Sequence, residues 1–426
     1  MEEIFDSLLR GKIKLYELEN VIWQRIYSGD KRKWHQANKD AAFLRLKFLK
    51  EKTGTSLDDV ERCYVEVSSS EKLTTGIEQQ IGGAATPLGI GGPLMITGDY
   101  AKGEFYLPLA TNEAALIAGI NRGCKAINLS GGIKAKVTRD CMARAPLIEA
   151  ESIIEAAEIA ERLKADRKFS EEIRKACEAE SKVTKLLEIQ PFQLGRYVHV
   201  RFVFNTGDAM GMNSATKYSA NGVKVILKEF PEARLITLTA NMCSDKKATH
   251  SNVLLGRGKT VHTEVAIGPE TIRKVFGIDP EKIVRLNNLK NYQGSAFAGT
   301  VTGFNANAAN TVAALFIATG QDCAQIVESS SCFTHAEMEN NNLVFGVTMP
   351  CLEVAATGGG TDFGTAKECL QLLGCHGPSK TTAGSHSKRL AAIIASAVTA
   401  QELNLLSSET NLFELAESHI RLARGK

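Results

Sequence analysis

The stretch YVHVRFVFNTGDAMGMNSATKYSANGVKVILKEFPEARLITLT, residues 197–239, carries the pattern on which the fold turns. Val198, Val200, Phe202 and Phe204 alternate with His199, Arg201, Val203 and Asn205, the period-two signature of a strand. The loop TGDAMGMN follows, then a helical run with Val223, Ile226, Leu227 and Phe230 on one side. A second strand is expected from Arg234 to Thr239. Strand, loop, helix and strand in that order spell a βαβ-like module of a small α+β domain.

Upstream, Glu151 to Glu180 reads as one charged amphipathic helix. Ser152 and Glu155 form a capping box, and Ile153, Ala156, Ala160 and Leu163 share a face. The first sixty or so residues are also expected to be helical. Trp34 to Lys52 spaces Ala41, Leu44 and Phe48 at helical intervals and stops at Gly54. Between these regions the glycine-rich segment Gly82 to Leu94 is expected to interrupt regular structure. Downstream, Asn307 to Ala318 and Lys388 to Glu402 are apolar nearly all round, as buried central helices of a larger domain would be.

Composition narrows the function. The chain has 426 residues, with 51 Lys and Arg against 48 Asp and Glu. A near-balance of charge argues against nucleic acid as the partner. At roughly 100–200 residues per domain, the length fits two to three domains. No uninterrupted apolar run approaches the roughly 18–20 residues of a bilayer span. The acidic start MEEIFDSLLRGK lacks a signal-peptide pattern, so a soluble cytoplasmic protein is expected, with no membrane partner. The 10 cysteines include no CxxC pair and the 8 histidines no HExxH, so no metal site is expected.

Several segments carry candidate chemistry. Gly207 to Asn213 follows a strand and opens a helix, where free amides and the helix dipole favour an anion. It matches neither GxGxxG nor a Walker A loop, so a plain turn is the competing reading. Asn241 to Lys247 sets Asp245 beside Lys246 and Lys247 on a loop, suited to a carboxylate or an oxyanion, or else to a solvated turn. Glu113 sits in the apolar run LATNEAALIAGINRG, and a buried glutamate there is either a general acid or a salt-bridged core carboxylate. Asp322 in ATGQDCAQ invites the same two readings. His419, near the C-terminus, is by position alone an ordinary solvated histidine.

Five motifs in order, LPLATNEAAL, GDAMGMN, NMCSDKK, GFNANAANTVAALFIATGQD and TMPCLEVAATGGGT, strongly resemble the 3-hydroxy-3-methylglutaryl-coenzyme A reductase family. The DAMGMN form is similar to class I, the biosynthetic type of archaea and eukaryotes, in its soluble catalytic portion. The resemblance implies an α+β fold: a large mixed catalytic domain with a central buried helix, interrupted by a small ferredoxin-like cofactor domain. The implied divisions are an N-terminal helical domain at 1–65, the catalytic domain at 66–146 and 237–410, the cofactor domain at 147–236, and a mobile tail at 411–426. It implies reduction of 3-hydroxy-3-methylglutaryl-CoA to mevalonate and CoA by two hydride transfers from NADPH, in a homodimer or higher even oligomer.

Residue by residue, the resemblance makes Lys246 the oxyanion stabiliser, Glu113 the acid, Asp322 the group that orients and tunes them, and His419 the donor to the coenzyme A thiolate. Substrate would meet Arg144, Thr239, Asn241, Asp245, Lys247 and Lys290, with Asn310 beside Lys246 and coenzyme A on Asn121 and Arg122. The cofactor would lie on Asp208, Met210, Gly211, Met212 and Asn213, with Gly358, Gly359 and Gly360 allowing close approach. Ser181, Lys182 and Arg424 would serve the 2′-phosphate of NADP. Lys182 stands where the family has Arg, which loses bidentate phosphate geometry. Further departures are Ala114, Gly119, Ala143, Asn307 and the weakened ENVIG motif at 78–82. The rivals are NAD-dependent oxidation of mevalonate on the same fold and a paralogue that binds thioester or nucleotide without turnover.

Overall fold

The computed structural model describes residues 1–64 and 77–411, together with 413, 414, 416, 417 and 420. Its ten strands are β1 (Leu88–Gly98), β2 (Lys102–Ala110), β3 (Ile133–Arg144), β4 (Leu147–Glu149), β5 (Lys185–Leu194), β6 (Tyr197–Asn205), β7 (Arg234–Thr237), β8 (Gly258–Ile267), β9 (Phe333–Glu339) and β10 (Asn342–Leu352). One sheet contains them all, because β3 is long enough to serve two halves. Its first part pairs with β1 and β8, and its last three residues, Met142, Ala143 and Arg144, pair with β6.

In the smaller half the chain runs β4, helices, β5, β6, helix, β7, while the sheet order is β7-β4-β6-β5, every pair antiparallel. The two strands read from residues 197–239 therefore both form, with β4 between them. The alternation in β6 does not leave a wet face. Arg201 and Val203 are as fully buried as Phe202 and Phe204, since Arg201 donates to the Gly256 carbonyl at 2.8 Å and to Gln190 at 2.7 Å. A charged side chain survives there because both of its amino groups find acceptors, although its Nε does not.

The expected single helix over 151–180 is two helices, Ile153–Ala165 and Arg167–Glu178. Asp166 leaves the helical region with ψ 97° and its carboxylate accepts the Phe169 amide at 3.0 Å, restarting the chain at a new N-cap. The glycine-rich segment is also more regular than expected. β1 runs from Leu88 through Gly91 and absorbs Gly92 and Pro93 in a register shift against β2.

The larger half packs its helices on the sheet. The helix Ser385–Thr410 crosses β3, β8 and β10 and lies against the helix Leu116–Leu129. It has 26 residues and is long and apolar enough to span a membrane, yet its apolar 18-residue stretch is buried inside this protein. Each of Ile393, Ile394 and Leu403 is fully buried, a burial that stabilises by about 1.5–3 kcal/mol per side chain. Gly123 lets the two helices meet, since a Cβ there would lie 1.9 Å from the Ala400 carbonyl oxygen. A separate core of Ile4, Phe5, Leu8, Leu18, Ile22, Ala37 and Ala41 holds the N-terminal helices together. The small half has its own core around Phe202, Phe204, Ile173 and Ile226.

Candidate active site

The loop Asn241–Lys247 leaves β7 and is bent by three non-glycine residues in the left-handed region, Asn241 (φ 61°), Ser244 (φ 52°) and Lys246 (φ 59°). Such residues persist only where their surroundings over-determine them. Here Cys243 is buried beside Ala143 and Ala145, and the Asn252 side chain donates to the carbonyls of Ser244 and Lys247 at 3.2 and 3.4 Å. The amide of Lys246 donates to Glu328 Oε1 at 2.8 Å. The turn presents Lys246 Nζ to Asp322 Oδ2 at 3.0 Å, an ion pair in which both side chains keep solvent access. Asp322 is fixed in turn, its other oxygen accepting the Ala324 amide at 3.0 Å as the cap of a short helix.

Asp245 faces the other way. Arg257 Nη2 lies 2.9 Å from its Oδ1, Gln325 donates to the same oxygen at 3.0 Å, and Arg144 Nη1 is 3.7 Å from Oδ2. Burial pushes the Asp245 carboxyl up, but Arg257, Gln325, Arg144 and Lys246 outweigh it and hold it below the usual carboxylate range. Arg144 is itself aimed by Thr216 (2.9 Å) and Thr239 (3.0 Å). Lys246, Asp322, Asp245, Arg144, Thr239 and the Asn241 turn thus converge as the motifs implied. Lys247 is on the same turn, its Nζ donating to the Asp245 carbonyl at 3.1 Å.

Other expected residues stand differently. Glu113 is exposed rather than buried in a helix. Its amide donates to Thr111 Oγ1 at 3.0 Å, and Ala115 at φ 72° delays the helix to Leu116. Lys290 Nζ is paired with Glu409 at 2.7 Å, and Arg122 with Glu414 and the Val275 carbonyl. Asn121 Oδ1 accepts the Gly92 amide at 2.7 Å. Asn310 lies half-buried in the first turn of the helix Ala308–Ala318. His419 and Arg424 lie outside the described residues.

Asp208, read as a cofactor contact, is a buried structural carboxylate. Its oxygens accept the amides of Ser379 (2.8 Å), Gly384 (3.1 Å) and Ser387 (2.9 Å), which anchor the loop to the start of the helix Ser385–Thr410. Its carbonyl accepts the amides of Ala356 and Thr357, stitching the Gly358–Gly360 run beside the Gly207–Asn213 loop. Two glycine segments about 150 residues apart in the sequence thereby share one surface. A Cβ on Gly358 or Gly359 would meet nothing within 4 Å, so that surface is open. Gly211, at φ 94°, precedes the helix Met212–Glu229, whose first amides have no side-chain cap. Uncapped amides, the dipole and bare glycines suit a dinucleotide pyrophosphate. Asn213 is exposed on this surface, Met210 is half-buried, and Met212 turns inward onto Arg257. Lys182 is exposed nearby in sequence, while Ser181 Oγ accepts the amides of Val183 and Thr184.

Sequence reading passed over Arg257, Glu328 and Glu353, all fully buried. Arg257 Nη1 lies 2.6 Å from Glu328 Oε1 and also contacts Glu353 and, at 3.1 Å, Gln325. Carboxylate oxygens of Asp245, Glu328 and Glu353 lie within 4.8 Å of one another, and the cation they surround is this guanidinium. The available signal was Glu353 itself, a lone charge inside the apolar stretch TMPCLEVAA.

Comparison with known proteins bears on this arrangement. The family model for hydroxymethylglutaryl-coenzyme A reductase matches residues 41–424. The 3-hydroxy-3-methylglutaryl-coenzyme A reductase of Pyrococcus abyssi is 41% identical over 428 residues, covering 100% of both chains. That of Cannabis sativa, reductase 1, is 40% identical over 426 residues, covering 100% of this chain and 70% of the plant protein. Among solved structures, the class II reductase of Streptococcus pneumoniae bound to NADPH superposes with a TM-score of 0.62 at 18% identity, covering 86% of this chain and 96% of that one. At that identity the superposition speaks to the fold alone.

Proposed function

The chain belongs to the hydroxymethylglutaryl-coenzyme A reductase family, a family of oxidoreductases, and from that premise we propose that it reduces 3-hydroxy-3-methylglutaryl-CoA to mevalonate in the mevalonate pathway, using two NADPH. The observation that carries this reading is the Lys246–Asp322 ion pair on a strained, tightly held loop next to Arg144. An ammonium so placed stabilises the oxyanion that forms when the thioester carbonyl becomes tetrahedral. Asp322 orients that ammonium, and Arg144, Lys247 and Lys290 take the terminal carboxylate of the substrate. Glu113 supplies the proton to the developing alkoxide and His419 the proton to the departing thiolate.

NADPH, when bound, supplies the hydride for each reduction. The Met212–Glu229 helix start and the Gly358–Gly360 run would hold its pyrophosphate, and Lys182 and Arg424 would serve its 2′-phosphate. Charge and atoms balance as thioester, two NADPH and two protons giving mevalonate, coenzyme A and two NADP⁺.

In this reading 147–236 is a ferredoxin-like cofactor domain inserted in the catalytic domain of 66–146 and 237–410, after an N-terminal helical domain at 1–65 and before the C-terminal segment 411–426. The protein works as a homodimer or higher even oligomer in the cytoplasm. Exposed Leu88, Ile90, Tyr106, Phe297 and Val301 supply apolar surface for a second copy, and the exposed Glu113 is completed by it.

Absorbance of the reduced nicotinamide, followed with the thioester and either NADPH or NADH, tests the reading. Two NADPH consumed per mevalonate formed is the expected result. Faster NADH turnover, or NAD⁺ reduction by mevalonate as the dominant activity, would favour the degradative direction. Folded protein that oxidises neither cofactor would sink the reading.

A further inference from the structure

The oxyanion lysine is held from below by a cluster that the reaction chemistry itself does not call for. We propose that Arg257, Glu328 and Glu353 are positioning residues for Lys246, and that the two glutamates hold one proton between them.

The geometry runs from the lysine inwards. Lys246 is a non-glycine residue at φ 59°, and the contact that pins its backbone from outside the loop is Glu328 Oε1, which accepts its amide at 2.8 Å. The same oxygen is 2.6 Å from Arg257 Nη1. Arg257 therefore sits between the carboxylate that pins Lys246 and the neighbouring carboxylate, Asp245, at 2.9 Å from its other amino group. Its Nη2 also touches Met212 Sδ, the first residue of the helix whose N-terminus faces the nucleotide surface. One guanidinium thus ties the oxyanion turn to the start of the cofactor helix.

The proton follows from counting atoms and charges. Three carboxyl groups face one fully buried guanidinium, while the other cations nearby, Arg144 at 3.7 Å and Lys246, act on Asp245. Glu328 Oε2 and Glu353 Oε2 are both buried and neither has a donor in reach. A carboxyl oxygen of one side chain lies within 4.8 Å of a carboxyl oxygen of the other. As two carboxylates they would repel and leave both atoms unmet. With a proton on one, its O–H donates to the other, and both atoms and the charge are satisfied together. Burial pushes both carboxyls above the usual range, which agrees with this arrangement.

The inference rests on the assignment of Lys246 to the oxyanion. The test compares kcat, KM for the thioester and melting temperature in the full chain for Glu328→Ala, Glu328→Gln and the double variant Glu328→Gln/Glu353→Gln, with Lys246→Ala as reference. Removing the acceptor in Glu328→Ala displaces Lys246 and lowers kcat about 100-fold while KM stays within about threefold. Glu328→Gln keeps an acceptor for the Lys246 amide and donates to Glu353 in place of the shared proton, so it recovers to within about tenfold of wild type. The double variant leaves Arg257 only Asp245 and falls about 100-fold again.

A lower melting temperature with unchanged kcat in Glu328→Ala would reduce the cluster to a structural one. A double variant no worse than Glu328→Gln would overturn the shared proton. These two glutamine variants decide the matter even where Glu328→Ala does not fold. Turnover retained in Lys246→Ala removes the site assignment and this inference with it. An inactive Lys246→Ala beside an active Glu328→Ala removes the inference alone.

Discussion

Two loops of this protein follow strands and bend through the left-handed region, and they do so by opposite means. The loop after β6 places Gly207 at φ 64° and Gly211 at φ 94°. The loop after β7 uses Asn241, Ser244 and Lys246 at φ 61°, 52° and 59°. In the first, conformation is written locally, because glycine reaches that region without a steric penalty. In the second, the chain is held there by groups outside the turn, Asn252 and, 82 positions away from Lys246, Glu328. A loop that must offer bare backbone to a large anion gains from glycine. One that must aim a single ammonium to within a fraction of an ångström needs a side chain, and therefore needs outside support.

The largest effect should come from the second loop. Lys246→Ala should lower kcat about 1,000-fold, the scale of losing an oxyanion donor, with melting temperature little changed. An active variant would mean that the turn is shaped for something other than this lysine. Gly211→Ala should break the first loop by clash as well as by φ, since its Cβ would lie 2.3 Å from Thr206 Cγ2. A loss of about 2–3 kcal/mol in denaturant unfolding and weaker NADPH binding are expected. A neutral outcome would mean that the glycine is not conformationally required.

The third effect is on pH dependence. Burial raises the Glu353 carboxyl in the folded state, whereas the unfolded chain titrates in the ordinary carboxylate range. Stability from this group is therefore complete below the unfolded value and is lost as pH rises toward the folded one. As pH rises above the ordinary carboxylate range, Glu353→Gln should accordingly flatten the fall in melting temperature seen in wild type. Equal slopes would show that Glu353 is ionised throughout. The smallest effect is that of Ser244→Gly. It relieves the left-handed backbone but loses the 3.1 Å contact with Ser251 and loosens the unfolded chain, so stability should move by less than about 1 kcal/mol. A loss of several times that in a denaturant titration would place the support of the turn in the serine hydroxyl instead.

The same contrast marks what could be read in advance. β6 and the helix Trp34–Thr53 were legible, since period and stop signal are local properties. The break at Asp166 was partly legible, as aspartate is a good N-cap, but a continuous apolar face masked it. Glu113 was misread as buried because its neighbours are apolar. The Thr111 turn and the φ of Ala115 put it outside the helix those neighbours form. The structural partners of Asp208 were not legible: Ser379, Gly384 and Ser387 lie more than 170 positions away, in hydrogen bonds that no local pattern announces.

Residue types in ordered motifs were enough to assign the family and to nominate Lys246, Asp322, Asp245 and Arg144, because chemistry of that kind depends on which groups are present. Which of the nominated groups face one another was decided only by the tertiary structure. Charge pairs such as Lys246–Asp322 and Arg257–Glu353 join residues 76 and 96 positions apart, and a buried charge is tolerable only once its partner has been brought to it by the packing of the whole domain.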